Sequence, residues 1–251
     1  MTGADAALLL LVGALSGFLN VMSAGGSMLT LPALMFMGLD STTANGTNRV
    51  GIALQNVSAA WKYRRSGHHE WALAWRLSIP AIIGAIAGAY AATLVSDELF
   101  RWILIAVMIG ASILMLMPKG AGIKTRRLER DEKLRWPIIL ALLAIGFYGG
   151  FIQVAVGILF IVLLYRVLHL DLIQVNILKV LIILIYTIPA LAIFMGSGAV
   201  AWSYGLILAV GSMTGAWLGA KLTLGPSGAR WITWLTLAII GIIIVKLIFD
   251  F

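Results

Sequence analysis

Residues 72–95 read ALAWRLSIPAIIGAIAGAYAATLV and contain one charged side chain, Arg76. A helix of this length rises about 36 Å, more than the ~30 Å hydrocarbon core of a bilayer. Seven further stretches have the same apolar character: 6–37, 43–61, 99–117, 137–165, 172–195, 201–224 and 231–249. Apolar residues make up 61% of the 251 and charged residues 11%, against about 45–50% and about 25% in soluble domains. Residues 1–251 are therefore predicted to form one all-α polytopic membrane domain.

The second half of the chain repeats the first at a constant offset of 131 residues. Residues that coincide at this register include Asn45 with Asn176, Trp71 with Trp202, Gly84 with Gly215 and Gly88 with Gly219. Tryptophan, asparagine and glycine rarely agree by chance at one register, so we interpret the match as an internal repeat. Repeat 1 takes in residues 6–117 and repeat 2 residues 137–251, with a basic loop at 118–136 between them. The two glycine pairs are predicted to be close helix contacts.

The first apolar stretch of each repeat is interrupted. Stretch 6–37 is broken at 23–27, and stretch 137–165 is broken at 149–150. Each is too long for one straight span and too short for two, so we expect a broken, re-entrant helical hairpin with its tip near the membrane midplane. Each repeat then adds three transmembrane helices, an odd number, and the two repeats must be inverted relative to each other.

The distribution of basic residues supports the inverted arrangement. If loop 118–136 is cytoplasmic, inversion places 14 of the 18 basic residues on or near that side, as the positive-inside rule requires. Parallel halves would instead place Arg166, Lys221 and Arg230 outside. Both termini are expected outside.

A stripe of polar side chains runs along stretch 43–61. Its members are spaced three and four residues apart, which puts them on one helical face: Asn45, Asn48, Arg49, Gln55 and Asn56. The matching helix of repeat 2 carries a corresponding set: Asn176, Lys179, Tyr186 and Thr187. Asp40 and Asp171 precede these two helices and are predicted to be their N-caps.

Arg49 and Lys179 each lie about 10 Å along their helices, from opposite faces in the inverted arrangement, and so converge near the midplane. A cation at that depth costs at least ~2.5 kcal/mol and needs water, a partner or an anionic ligand. All ten acidic residues fall in loops or at helix ends. Two interpretations remain: the cations bind backbone carbonyls at the hairpin tips, or they form an anion site with amide donors and helix ends at the breaks.

The predicted substrate-binding residues come from the two stripes and the two breaks. They are Asn45, Asn48, Arg49, Gln55, Asn176, Lys179, Gly25, Gly26, Ser27, Gly149, Gly150, Gln153 and Tyr186. A membrane enzyme would need carboxylates, histidines or thiols in its cavity, and the chain has no cysteine. We therefore expect no catalytic residue, no metal and no cofactor. We interpret the net charge of +8 as the basic residues that fix the orientation of the chain in the membrane. The expected partners are therefore a small anion and the lipid bilayer, not nucleic acid.

Two pairs of motifs carry a family resemblance. Residues 17–34 (GFLNVMSAGGSMLTLPAL) and 44–50 (ANGTNRV) resemble the first signature of the sulfite exporter TauE/SafE family of membrane transporters. Residues 146–153 (GFYGGFIQ) and 176–180 (NILKV) resemble the second. The resemblance implies transport of sulfur-containing anions such as sulfite, sulfonates or sulfoacetate across a bacterial inner membrane.

These observations together predict a secondary transporter that binds its anion at the midplane between the repeats. Export is the expected direction, because an inside-negative potential drives anions outward by ~2.3 kcal/mol per charge per 100 mV. A passive anion channel, or a proton-coupled uptake permease using the same site, is the alternative.

Overall fold

The computed structural model describes residues 2–22, 25–68, 70–116, 125–128 and 134–223, with positions 241, 243–245 and 247. Its helices follow in chain order: α1 (Gly3–Met22), α2 (Ser27–Phe36), α3 (Ser41–Arg65), α4 (Trp71–Leu94), α5 (Asp97–Leu116), α6 (Trp136–Phe151), α7 (Val156–Ile161), continuing as a π-helical segment over Val162–Val167, α8 (Leu172–Gly196) and α9 (Trp202–Thr223). Most of the predicted span 231–249 and of loop 118–136 lies outside the described residues.

The described residues confirm an all-α polytopic membrane protein. Five of their helices are long and apolar enough to cross a membrane, namely α1, α4, α5, α8 and α9. Helix α3 is equally long but more polar, and its stripe residues are buried inside the bundle. Its polar face is therefore turned away from lipid.

Aspartates cap the two helices that carry the polar stripes, as predicted. Asp40 accepts a hydrogen bond from the amide of Thr43 at 2.9 Å, and Asp171 accepts one from the amide of Gln174 at 2.9 Å. Each carboxylate satisfies an amide that has no partner within its own helix.

The break in the first stretch lies where it was predicted, between α1 and α2. The prediction for the second stretch was wrong: Gly149 and Gly150 lie inside α6, and the chain breaks over 152–155. These glycines serve close packing instead, since a Cβ at Gly150 would overlap the carbonyl of Ala85. The break itself is formed by Gln153 and Ala155, whose φ angles of +58° and +56° place them in the left-handed region.

The first helix of each half packs against the other half. Helix α1 packs along α9 of the other half, and α6 packs along α4. The predicted glycine pairs lie at both contacts. In α4, a Cβ added at Gly84 would meet the carbonyl of Leu143, and one at Gly88 would meet that of Phe147. In α9, a Cβ added at Gly215 would meet the carbonyl of Ala14, and one at Gly219 would meet that of Phe18. The prediction of close helix contacts is confirmed, and the contacts repeat from one half to the other.

Helices α3 and α8 lie side by side at the centre and run in opposite directions. Near the start of α3, a Cβ added at Gly46 would lie 3.0 Å from the side chain of Phe194, at the end of α8. Further along α3, Gln55 shares a cavity with Lys179, which lies near the start of α8. An inverted repeat requires this direction for two equivalent helices. The orientation of each half in the membrane, and whether the broken segments re-enter or cross, stay predictions.

Candidate functional site

Arg49 of α3 holds the end of α6. Its guanidinium donates to the carbonyl of Gly149 at 3.1 Å, to that of Gly150, and to Oε1 of Gln153 at 2.6 Å. It also lies 4.7 Å from the centre of the Phe194 ring, and the residue has no exposed surface. Carbonyls in the last turn of a helix lack partners within that helix and carry its partial negative charge, so a cation there stabilises the break.

Lys179 of α8 holds the end of α1 in the same way. Its ammonium donates to the carbonyls of Asn20 at 3.3 Å and Val21 at 3.1 Å, and to Oδ1 of Asn176 at 3.1 Å. The residue is 1% exposed. A cation from each half therefore holds the broken helix of the other half, and the carbonyl interpretation describes their contacts.

The two arrangements occupy corresponding places in the repeat. Gly17 of α1 packs on the carbonyl of Ser212, and Gly146 of α6 packs on that of Ala81. Because Ala81 and Ser212 are matched at the offset of 131, these contacts align Gly17 with Gly146, and so α1 with α6. In that alignment Asn20 and Val21 correspond to Gly149 and Gly150. Arg49 and Lys179 stand one position apart at the offset of 131, so similar geometry is reached from neighbouring positions.

The two breaks touch each other. The hydroxyl of Ser27, at the start of α2, donates to the carbonyl of Gln153 at 3.4 Å and accepts from the amide of Ala155 at 3.2 Å. The side chain of Gln153 donates to Thr187 of α8 at 2.9 Å. These bonds join both breaks to the central helices and stabilise the left-handed backbone at Gln153 and Ala155.

A polar cavity opens beside this junction. Polar side chains from α1, α2, α3, α8 and the second break form one part of its lining, and apolar residues with one glycine form the rest. The polar residues are Asn20, Ser27, Gln55, Asn56, Gln153 and Lys179, and the others are Ile52, Val156, Gly157, Val180 and Ile183. Lys179 supplies a positive charge to this lining, and none of the described residues that form it is acidic. No cluster of metal-ligating side chains occurs among the described residues.

Nine of the thirteen predicted site residues fall into two groups. The cavity brings together four of them: Ser27, Gln55, Gln153 and Lys179. A second group surrounds Arg49 and the end of α6: Asn45, Gly149, Gly150 and Tyr186. Asn176 lies beside Lys179, Gly25 and Gly26 precede Ser27, and Asn48 accepts a hydrogen bond from Thr30 at 2.6 Å.

Sequence reasoning missed two polar lining residues as site members. Asn56 belongs to the predicted stripe on α3, and its position four residues after Ile52 places it on the cavity face. Its amide donates to the Ile52 carbonyl at 2.7 Å. Asn20 lies in the quoted 17–34 motif, but no spacing linked it to α3, since its side-chain partner Gln55 is 35 residues away.

The family comparison agrees with a transport role. A model of the family described as sulfite exporter TauE/SafE matches residues 9–247. The probable membrane transporter protein YfcA of Escherichia coli K12 is 27% identical over 248 residues, covering 96% of this chain and 89% of the relative. The probable membrane transporter protein ORF9 of a Sinorhizobium species is 25% identical over 220 residues, covering 86% and 82%. No solved structure matches this chain.

Proposed function

Because this chain belongs to the sulfite exporter TauE/SafE family and is a membrane transporter, not an enzyme, we propose that it exports small sulfur-containing anions. Sulfite, sulfonates and sulfoacetate are the proposed substrates, and a bacterial inner membrane is the proposed location. The anion binds in the cavity between the two breaks and helices α3 and α8.

One observation carries the proposal: within the part of the chain that the structure describes, the cavity lining contains a lysine and several amide side chains but no carboxylate. An ammonium group and amide N–H groups stabilise an oxyanion, whereas a cation in the same place would meet Lys179 with no compensating negative side chain from the lining. The start of α2 at Ser27 adds the positive end of a helix dipole to the same space.

The size of the cavity favours a carrier over an open channel. The space between its side chains holds little more than about one water molecule. A sulfite ion therefore enters only if the breaks or the central helices move apart. A protein that must change conformation for each substrate gives saturable flux, and the junction of the two breaks is the natural place for that movement.

Reconstitution into liposomes tests this function. We expect saturable efflux of sulfite and of an alkanesulfonate that is stimulated by the same anion on the opposite side. Efflux should follow an imposed potassium-diffusion potential and persist without a pH gradient, because the potential alone drives an anion outward. Flux that rises linearly with concentration would establish a channel, and a strict requirement for a pH gradient at zero potential would establish proton coupling.

A further inference from the structure

Asn20, in the last turn of α1, contacts three groups that face or border the cavity. Its side-chain oxygen accepts from the backbone amide of Ser27 at 3.0 Å. Its side-chain nitrogen donates to Oε1 of Gln55 at 3.2 Å. Its backbone carbonyl accepts from the ammonium of Lys179 at 3.3 Å. One residue therefore links the start of α2, the polar stripe of α3 and the buried lysine of α8.

The directions of these hydrogen bonds follow from one group that can act only as a donor. A backbone N–H cannot accept, so the Ser27 amide requires the oxygen of the Asn20 side chain. The Asn20 nitrogen must then point the other way, toward Gln55. Gln55 can meet that donor only with its oxygen, which turns its own NH₂ group away from Asn20.

The NH₂ group of Gln55 is left to the cavity. Gln55 is 3% exposed and lines the cavity with Lys179. Among the described residues, no protein acceptor receives a hydrogen bond from its side-chain nitrogen. A donor placed in a small polar cavity beside an ammonium group requires an acceptor that arrives from outside.

We propose that Asn20 is a positioning residue that sets the hydrogen-bonding polarity of the cavity, holding Gln55 as a donor beside Lys179. The cavity then selects ligands whose groups accept hydrogen bonds, such as the oxygens of a sulfonate. In the alignment of α1 with α6, the position that corresponds to Asn20 is Gly149, which has no side chain, so α6 lacks this device. The proposal rests on the proposed anion transport and assigns the origin of its selectivity.

A double-mutant cycle measured with methanesulfonate, whose charge is constant between pH 5 and 8, tests this role. Asn20→Ala and Gln55→Ala should each raise KM about tenfold. The double variant should raise it no further than the larger single change, because Asn20 acts through Gln55. Asn20→Ala combined with Asn56→Ala is the matched control and should show the product of its single effects, since Asn56 bonds its own helix. A product of effects in the Asn20–Gln55 pair, or an unchanged KM in both single variants, would overturn the proposal.

Asn20→Asp provides a second test that keeps the shape of the side chain. The carboxylate cannot donate to Gln55, whose amide would turn and present its oxygen to the cavity. A protonated carboxyl group can both donate and accept, as asparagine does. We therefore expect KM to be raised at pH 8 and to recover toward pH 5, a profile absent from the wild type. Asn56→Asp adds the same charge to the lining without turning Gln55, so it should show the same pH trend with a clearly smaller rise in KM, and an equal or larger rise in Asn56→Asp would reduce the effect to added charge and refute the role of Asn20.

The two levels of proposal fail in different ways. Wild-type protein that transports no anion would remove the proposed function itself. Wild-type anion transport with an additive Asn20–Gln55 cycle would remove only the positioning role.

Discussion

Arg49 and Lys179 solve the same structural problem in the two halves, but with different surroundings. Each donates to two successive carbonyls at the end of a broken helix from the other half. Arg49 is enclosed by Gln153 and the Phe194 ring, and it is absent from the cavity lining. Lys179 makes similar contacts and also lines the cavity. The two halves thus contain similar supports, of which one also lines the cavity of the proposed substrate.

This difference has a physical basis in the two side chains. The guanidinium is a planar group with five donors, suited to several acceptors held in fixed places. The ammonium is a compact charge on a flexible stem, able to keep one partner while approaching another. We infer that Arg49 serves architecture, whereas Lys179 combines a structural contact with the charge that attracts the anion.

We expect the largest effect from the substitution Lys179→Met, which should impair transport. Loss of the charge should lower kcat/KM for sulfite about a hundredfold, since the positive charge that attracts the anion into the cavity disappears. Initial rates of efflux from liposomes measure it. Lys179→Arg is the control that keeps the charge and should retain more flux. Efflux within twofold of the wild type in Lys179→Met would show that the two cations do not differ in the way described.

Arg49→Met should act mainly on stability. It leaves the carbonyls of Gly149 and Gly150 without their buried donor, which we expect to cost about 3 kcal/mol. Thermal unfolding in detergent measures the loss. If Arg49→Met remained as stable as the wild type but lost transport, Arg49 would belong with the substrate rather than with the architecture.

Corresponding glycines should differ in their sensitivity to alanine. A Cβ at Gly88 would overlap the carbonyl of Phe147, whereas one at Gly219 would lie 3.0 Å from the carbonyl of Phe18. Gly88→Ala should therefore destabilise by about 1–3 kcal/mol and Gly219→Ala by less. Gly110→Ala serves as the control, because nothing lies within 4 Å of its added Cβ. Equal losses at Gly88 and Gly219 would mean that the two interfaces relax alike.

The smallest effect on the protein, and the clearest test of orientation, comes from labelling two matched turns. Ser66 and Ser197 follow α3 and α8 at equivalent positions, both are exposed, and the chain has no cysteine. Ser66→Cys and Ser197→Cys should fold and transport normally. An impermeant maleimide should label Ser66→Cys from the cytoplasmic side and Ser197→Cys from outside. Labelling of both cysteines from the same side of the membrane would refute the inverted arrangement.

Local and periodic features of this protein could be predicted from its sequence. Apolar length predicts the membrane helices, because lipid requires every backbone group to be bonded within its segment. Asp40 and Asp171 cap helices through amides three residues away, and Gly84, Gly88, Gly215 and Gly219 recur at helical spacing on contact faces. Each depends on a few neighbouring residues or on a regular period, so spacing along the chain suffices.

The site required the folded chain. The glycine pair led to the prediction of a second break at Gly149–Gly150. That prediction was wrong because a glycine that permits close packing cannot be distinguished in sequence from one that ends a helix. The actual break at Gln153 and Ala155 is stabilised by Ser27, 126 and 128 residues away, and the orientation of Gln55 depends on Asn20 in another helix. Hydropathy predicts which segments enter the membrane, but not which carbonyl meets which cation. Those contacts join groups distant along the chain, and their hydrogen bonds form only once the helices have packed.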